Sequence, residues 1–338
     1  MQTYENIPLD RSMYAAASKS FSRILEEMDP TAHYQGTELG SLDAYQRQLK
    51  RFDIKVSGEN SDTVDKFFAD PAGAALFPEY IVRAVRQGMD EGNILSSIVA
   101  TKTVIDTMDY RGVTSENEGN SAKEVGEGAQ IPQTVLKLKD NLIRLVKRGR
   151  MLVSSYEAVR HQKLDLFTIA LRQMGSTMAR AQLADAIGVL MDGDGNKNPA
   201  KTLETAAADT VTYTDLVNLW KEFEEYQMNT LLVSPDVMAK LLVLDEFKDT
   251  GAGDLFNATG MLRTPMGAML YKTSCVPEDT IIAFDRRYAL EMVCASQVQI
   301  DYDKVMDRQL DRAAITAIVG FGKLFPDAVR VMTVKKGS

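Results

Sequence analysis

The stretch from Tyr110 to Val153 constrains this chain more than any other, because it offers too little apolar surface to fold on itself. It opens on Arg111-Gly112 and continues as a glycine-spaced acidic tract with Glu116, Glu118, Gly119, Glu124, Gly126, Glu127 and Gly128, closed by Ile131-Pro132. An alternating run follows, from Val135, Leu136, Lys137, Leu138 and Lys139 to Ile143, Arg144, Leu145, Lys147, Arg148, Gly149, Arg150 and Val153. Alternation predicts strands with bases on one side and aliphatics on the other. A segment this long without its own core is uncommon inside a domain unless it is functional or disordered. The spacing predicts an arm whose base is anchored in its own sheet and whose acidic tip finds its packing on a neighbouring subunit.

The rest of the chain can supply a sizeable core: of 338 residues, 45% are apolar and 25% charged, the proportions of a globular protein of about two domains. A formal net charge of −8 argues against general nucleic-acid binding, which needs a basic footprint to displace counterions. It suits the wall of a container whose contents must not stick. Cys275 and Cys294 give no disulfide framework and read as reduced, buried thiols. Neither a signal peptide nor an apolar run of membrane-spanning length is expected.

Residues 1–70 read as separate short helices with one apolar stripe each. Asp10 is placed to cap the first (Met13, Ala17, Phe21, Ile24, Leu25), Ser41 the second (Leu42, Tyr45, Leu49, Phe52) and Ser61 the third (Val64, Phe67, Phe68). Each needs a partner surface, in the same chain or on another. Glu79 to Met89 reads as a helix and Ile94 to Met108 as a strand. From Tyr156 to Leu190 there is no proline, and apolar residues recur at three- and four-residue gaps with one larger break. That predicts a helix of roughly 50 Å. Asp192-Gly-Asp194-Gly-Asn196 ends it. The tract mimics the start of a calcium loop, but Lys197 and Leu203 stand where glycine and glutamate belong, so a turn is the better account. Beyond Val211 helices and strands alternate. Thr212 with Asp215 reads as a capping box, Thr230–Val233 as a buried strand, and Ser234-Pro235 as a helix start. Strands are expected at Ala268–Thr273, Thr280–Phe284, Tyr288–Cys294, Gln297–Asp301, Ile315–Phe321 and Val329–Val334.

No constellation for chemistry emerges. His33 and His161 have no metal-ligand spacing, and neither cysteine lies in a paired motif. Gly320-Phe-Gly322-Lys323 and Gly251-Ala-Gly253 lack the spacing of a phosphate loop. Acidic pairs such as Glu224-Glu225 read as solvated helix faces. No catalytic residue, cofactor or metal site is expected.

Several stretches, in order, resemble the tailed-phage major capsid proteins of the Hong Kong 97 type. Val125-Gly-Glu127-Gly128-Ala129-Gln130-Ile131-Pro132 resembles the family's extended-loop segment, and Met191-Asp-Gly-Asp-Gly195 the turn after its spine helix. Ser234-Pro-Asp236, Pro265-Met-Gly267 and Asp285-Arg-Arg-Tyr288 resemble stations of its axial domain, and Phe325-Pro-Asp-Ala-Val329 its closing strand. The resemblance covers roughly residues 75–338. It implies an α+β fold with an N-terminal helical arm (1–75), a peripheral domain (76–109, 154–205 with the spine helix, 295–338), an extended loop (110–153) and an axial domain (206–294).

It also implies self-assembly into pentamers and hexamers of an icosahedral head, with a portal protein, a separate scaffolding protein, possible decoration proteins, and double-stranded DNA held by enclosure. Localisation would be the virion, after assembly in the bacterial cytoplasm. Some relatives crosslink a loop lysine to a carboxy-terminal asparagine. No asparagine follows Asn257 here, so that bond is not expected. Two other readings remain: an encapsulin-type nanocompartment shell, and an α/β enzyme with residues 112–132 as a mobile lid. The expected assembly residues are Glu116, Glu118, Glu124 and Glu127 on the acidic side, and Lys137, Lys139, Arg144, Lys147, Arg148, Arg150, Arg160 and Lys163 on the basic side.

Overall fold

The computed structural model describes residues 4–15, 20–91, 93–117, 124–125, 127, 134–155, 161–248, 262–305 and 310–337. The main elements in chain order are α1 (Phe21–Met28), α2 (Ala44–Arg51), α3 (Phe77–Glu91), β1 (Thr101–Val104), β2 (Val113–Asn117), β3 (Thr134–Leu138), β4 (Leu145–Ser155) and α4 (Leu164–Asp192). After them come β5 (Lys201–Glu204), α5 (Tyr213–Lys221), β6 (Thr230–Val233), α6 (Pro235–Leu242), β7 (Leu262–Arg263), β8 (Met269–Lys272), β9 (Thr280–Phe284), β10 (Leu290–Val305), β11 (Leu310–Lys323) and β12 (Val329–Thr333). The chain divides into two units. One comprises Met1–Gly92, Gly149–Ala179 and Val298–Ala317; the other comprises Asn93–Arg148, Arg180–Gln297 and Ile318–Ser338.

In the first unit the amino-terminal stripes find their partner surface within the same chain. Phe21, Leu25, Tyr45, Leu49, Val64 and Phe67 share one buried core with Phe77, Tyr80 and Ile81 of α3 and with Leu164, Phe167 and Leu171 of α4. Phe67 stands 5.4 Å from both Phe77 and Tyr80, ring to ring. The Tyr80 hydroxyl donates to the Leu164 carbonyl at 2.7 Å, and burial pushes its pKa up to about 12. Arg47 of α2 is buried with its charge matched: its Nε lies 2.6 Å from Asp29 Oδ2, and Leu42 and Thr31 accept from its Nη1. α3 and α4 meet backbone to backbone. A Cβ on Gly175 would run into the Val85 carbonyl, and one on Gly88 into Arg172, so this crossing requires both glycines.

The second unit is built on a six-stranded sheet, order β5-β12-β9-β6-β8-β7. β6 pairs parallel with β8 (Thr230↔Met269) and antiparallel with β9 (Thr230↔Phe284). Successive side chains of a strand point to opposite faces, and here both faces are covered. Leu232, Ile282, Phe284, Val329 and Val331 pack with Ala186, Ile187 and Leu190 of α4. Leu231, Val233, Ile281, Ala283 and Met332 pack with Leu216 and Leu219 of α5 and Val237 and Leu241 of α6. That is why β6 is buried at every position rather than alternating. A four-stranded sheet has the order β1-β10-β11-β4, and β2 and β3 form a two-stranded hairpin.

Several expectations from sequence shift. Ile94–Met108 is not one strand: a helical turn (Leu95–Ile98) precedes the four-residue β1. The long helix begins at Leu164, not near Tyr156, because the Gln162 carbonyl and Leu164 amide are committed to Val64 and Asp62. Tyr288–Cys294 and Gln297–Asp301 merge into β10. Asp43, not Ser41, caps α2, in a reciprocal box with Gln46, and Thr63 precedes the 3-10 turn Val64–Phe68. Asp10 stands before a 3-10 turn, Arg11–Ala15, while Phe21, Ile24 and Leu25 sit in α1; Ala17 lies outside the described residues. The Thr212–Asp215 capping box forms. Ser234 precedes α6, but its side chain makes no cap bond. Cys294 is buried, whereas Cys275 is only half-buried.

Candidate assembly interface

The hairpin is the part of the chain with least cover. Val113 pairs with Leu138 and Asn117 with Thr134, antiparallel. Every residue of β3 is exposed: Val135 at 43%, Leu136 at 72% and Leu138 at 67%. Val113 is also exposed. Because strand side chains alternate, Val113, Leu136 and Leu138 share one face of the hairpin, and Val135 and Lys137 the other. A lone two-stranded hairpin is marginal in water, and a contiguous apolar face of this kind marks an interaction surface.

The base of the hairpin is the opposite: it is tied down by hydrogen bonds, with Lys139 and Ile143 buried. The outgoing stem is held by the Tyr110 hydroxyl, which donates to Glu291 Oε1 of β10 at 2.8 Å. Burial, then the Glu291 hydrogen bond and charge, push the Tyr110 pKa up. The returning stem is held by Lys139, whose Nζ lies 2.9 Å from Asp194 Oδ2 and also donates to the Lys323 carbonyl. Asn141 accepts nothing in this contact but donates twice, through its amide to Asn196 Oδ1 (2.9 Å) and through Nδ2 to the Gly195 carbonyl (2.7 Å). Ile143 is buried beside Gly320 and Gly322 of β11, where a Cβ would collide with it. Asp194 and its neighbours form the turn after α4, in which Gly193 (φ +89°) and Gly195 (φ +90°) take the left-handed backbone that favours glycine. Burial raises the Asp194 pKa, but hydrogen bonds from Lys139 and Asn196, the Lys139 charge and the Lys323 amide outweigh it, and the net shift is downward.

The expected assembly residues therefore separate. Lys139 is not a base held out to a neighbour: it is buried against Asp194 in its own chain. Arg148 is likewise engaged, with Asp185 of α4 at 3.0 and 2.5 Å. Lys137, Arg144, Lys147 and Arg150 are exposed, as are Glu124 and Glu127. Lys163 is exposed too, its Nζ donating to the Glu59 carbonyl at 3.2 Å. Glu116 pairs with Val135 in the hairpin register, its side chain lying outside the described residues, as do Glu118 and Arg160 entirely. Sequence reasoning missed Asp194, Asn141 and Lys323 as partners of the hairpin. The signal that points to them is the Asp-Gly-Asp-Gly turn, whose second aspartate is more than a helix stop.

Among the described residues no group of histidine, cysteine and acidic side chains is arranged to hold a metal, and no helix is long and apolar enough to cross a membrane. A cavity of about 360 Å³ is lined by Lys201, Glu222, Glu224, Glu225, Tyr226, Asp327 and Arg330. Lys201 pairs there with Glu222 at 2.7 Å.

Residues 139–329, more than half of the chain, match the family described as phage capsid protein. This chain belongs to that family. No curated protein sequence matches the capsid protein, but solved structures share its fold. A virus-like particle from Pyrococcus furiosus superposes with a TM-score of 0.52 at 15% identity, covering 76% of this chain and 99% of that one. The capsid of a native GTA particle gives 0.54 at 14%, covering 71% and 89%. Mycobacterium phage Bobi gives 0.52 at 12%, covering 73% and 91%. At these identities the likeness is one of fold, the Hong Kong 97-type capsid fold. Family and fold together indicate a structural protein of the capsid, and so a component of the virion.

Proposed function

We propose that copies of this capsid protein assemble as pentamers and hexamers into an icosahedral head that encloses double-stranded DNA, and that the β2–β3 hairpin is the extended loop that reaches a neighbour. The observation that carries this is the bare apolar face of Val113, Leu136 and Leu138 on a chain of a capsid family. Burying about two leucines' worth of surface would contribute roughly 3–6 kcal/mol per contact before the cost of association. Residues 206–294 would form the axial domain, and 76–109, 154–205 and 295–338 the peripheral domain. The amino-terminal helices, whose stripes are already buried in their own chain, would strengthen the subunit more than bridge to another.

Electrostatics would set register. Glu116, Glu118, Glu124 and Glu127 would face the exposed bases Lys137, Arg144, Lys147, Arg150 and Lys163 of an adjacent copy, together with Arg160. Lys139 and Arg148 drop from that set because Asp194 and Asp185 hold them. Exposed pairs contribute only about 0–1 kcal/mol each, which lets misplaced subunits leave while closure makes the sum large. Assembly in the bacterial cytoplasm would draw on a scaffolding protein, a portal and decoration proteins as partners. No catalytic step, cofactor or metal enters this reading.

A second reading is a nanocompartment shell holding protein cargo. It is favoured by the near-complete coverage of the Pyrococcus furiosus virus-like particle chain. Electron microscopy of the chain expressed alone, and then with portal and scaffold, separates the two. A head that closes uniformly only with scaffold and takes up DNA supports the first reading. A small closed shell formed by the chain alone supports the second, and a monodisperse monomer at high concentration contradicts both.

A further inference from the structure

Three segments far apart in sequence meet beneath the hairpin: the returning stem at Lys139, the turn after α4 at Asp194, and the end of β11 at Lys323. Lys139 and Asp194 side chains are 7% and 1% exposed, and Lys323 is wholly buried. The one carboxylate serves all three. Its Oδ2 accepts from Lys139 Nζ at 2.9 Å and from the Lys323 amide at 3.0 Å, and its Oδ1 accepts from Asn196 Nδ2 at 3.0 Å. Lys323 Nζ then donates to the Leu190 carbonyl at 2.9 Å, in the last turn of α4, where carbonyls lack helical partners and a cation is favoured.

Among the described residues only the Lys139 ammonium pairs with this buried aspartate; Lys323 gives it a backbone amide and sends its own ammonium to the Leu190 carbonyl. Such an arrangement is a poor way to gain stability, since well-packed apolar residues of similar volume do as well or better. What it adds is direction. Every bond has a fixed donor and acceptor, and breaking one strands a buried charge. A hydrophobic plug would hold the stem in place but tolerate rotation. Beyond Lys139, β3 is exposed along its length, so the hairpin's direction rests on its stems: this buried pair with Asn141 and Ile143 on one, and the Tyr110–Glu291 bond on the other.

We propose that Lys139 and Asp194, with Lys323 behind them, are positioning residues that fix the direction of the hairpin relative to the end of α4. The acidic turn after the long helix is, on this account, a receptacle for a lysine of the loop. The inference rests on the reading of the hairpin as an assembly arm for its purpose, but the direction itself is a property of the single subunit and is tested there.

The test places spin labels at Lys137 and Lys221, both exposed, after the free cysteines Cys275 and Cys294 are replaced by serine and alanine, and measures the inter-label distance distribution by electron spin resonance. The parent should give one narrow distribution. Asp194→Asn and Lys139→Met should broaden or shift it, with faster amide exchange at Asn141. Because these single variants strand a buried charge and are expected to lose stability, the triple variant Lys139→Met, Asp194→Leu, Lys323→Met is included. It should recover the parent's unfolding midpoint while keeping the broad distribution. A triple variant with parental stability and a parental distribution overturns the proposal, because packing alone would then set the direction. So does a parent whose distribution is already broad. If the distributions behave as stated but hairpin deletions leave shells normal, the assembly-arm reading fails and the positioning role stands.

Discussion

Residues 21–91 and residues 113–138 face the same problem: short elements with apolar stripes that none can bury alone. The first set solves it inside the chain. Its stripes carry Phe21, Tyr45, Phe67, Phe77 and Tyr80, and α4 brings Phe167 and Leu171 to meet them. Among the described residues the hairpin does not solve it, for Leu136 and Leu138 stay exposed on a ribbon whose stems are tied down at its base. The difference lies in what each segment can fold back on. Helices joined by short linkers reach a common centre. A hairpin whose stems are fixed at Tyr110 and Lys139 is held away from any. Lack of a local core therefore has two outcomes among the described residues: packing deferred to the rest of the subunit, and an apolar face left exposed.

The largest effect should come from the closed region. Phe67→Ala removes a wholly buried ring from between Phe77 and Tyr80 and should cost about 3–5 kcal/mol, read from urea unfolding of the subunit. A loss below about 1 kcal/mol would mean that the amino-terminal segment does not belong to that core, and the contrast would collapse.

An intermediate effect is expected at the hairpin base. Burial lowers the Lys323 pKa, Asp194 and Asp192 draw it part-way back up, and Lys139 and Arg330 oppose them, leaving it near 8 against an ordinary 10.5. The folded state therefore loses this proton at lower pH than the unfolded chain. The penalty is complete below pH about 8 and is relieved as pH rises toward 10.5, worth up to about 3 kcal/mol. Lys323→Met removes the titration. The stability of the unsubstituted chain relative to this variant should rise between pH 8 and 10.5, and a pH-independent gap would show that Lys323 is not buried as described.

Much of the fold was legible. The Leu231-Leu232-Val233 run of β6, the Thr212–Asp215 box and the proline-free run of α4 each carry a local signal that the structure keeps. Other features depend on distant partners. The helix start at Leu164 is decided by backbone bonds to residues 62–64; the break in the apolar stripe between Val159 and Phe167 marks the place but not the partners. Lys139 looks like one more base in an alternating run, and only the approach of Asp194, 55 residues away, makes it a buried anchor. Ser296 sits inside β10 although the apolar pattern breaks there, because ladder pairing does not need apolar side chains. The hairpin's exposed face was legible as an absence of core, but its buried base was not.

The smallest effect on the subunit, and the largest on its assembly, should follow from the double substitution Leu136→Ser, Leu138→Ser. Both residues are exposed in the subunit, so its unfolding free energy should change by no more than about 0.5 kcal/mol. Electron microscopy of the same preparation under conditions in which the unsubstituted chain closes into shells tests the central claim directly. The account predicts folded, soluble subunits and no closed shells. Normal shells of uniform diameter from the double variant would contradict it.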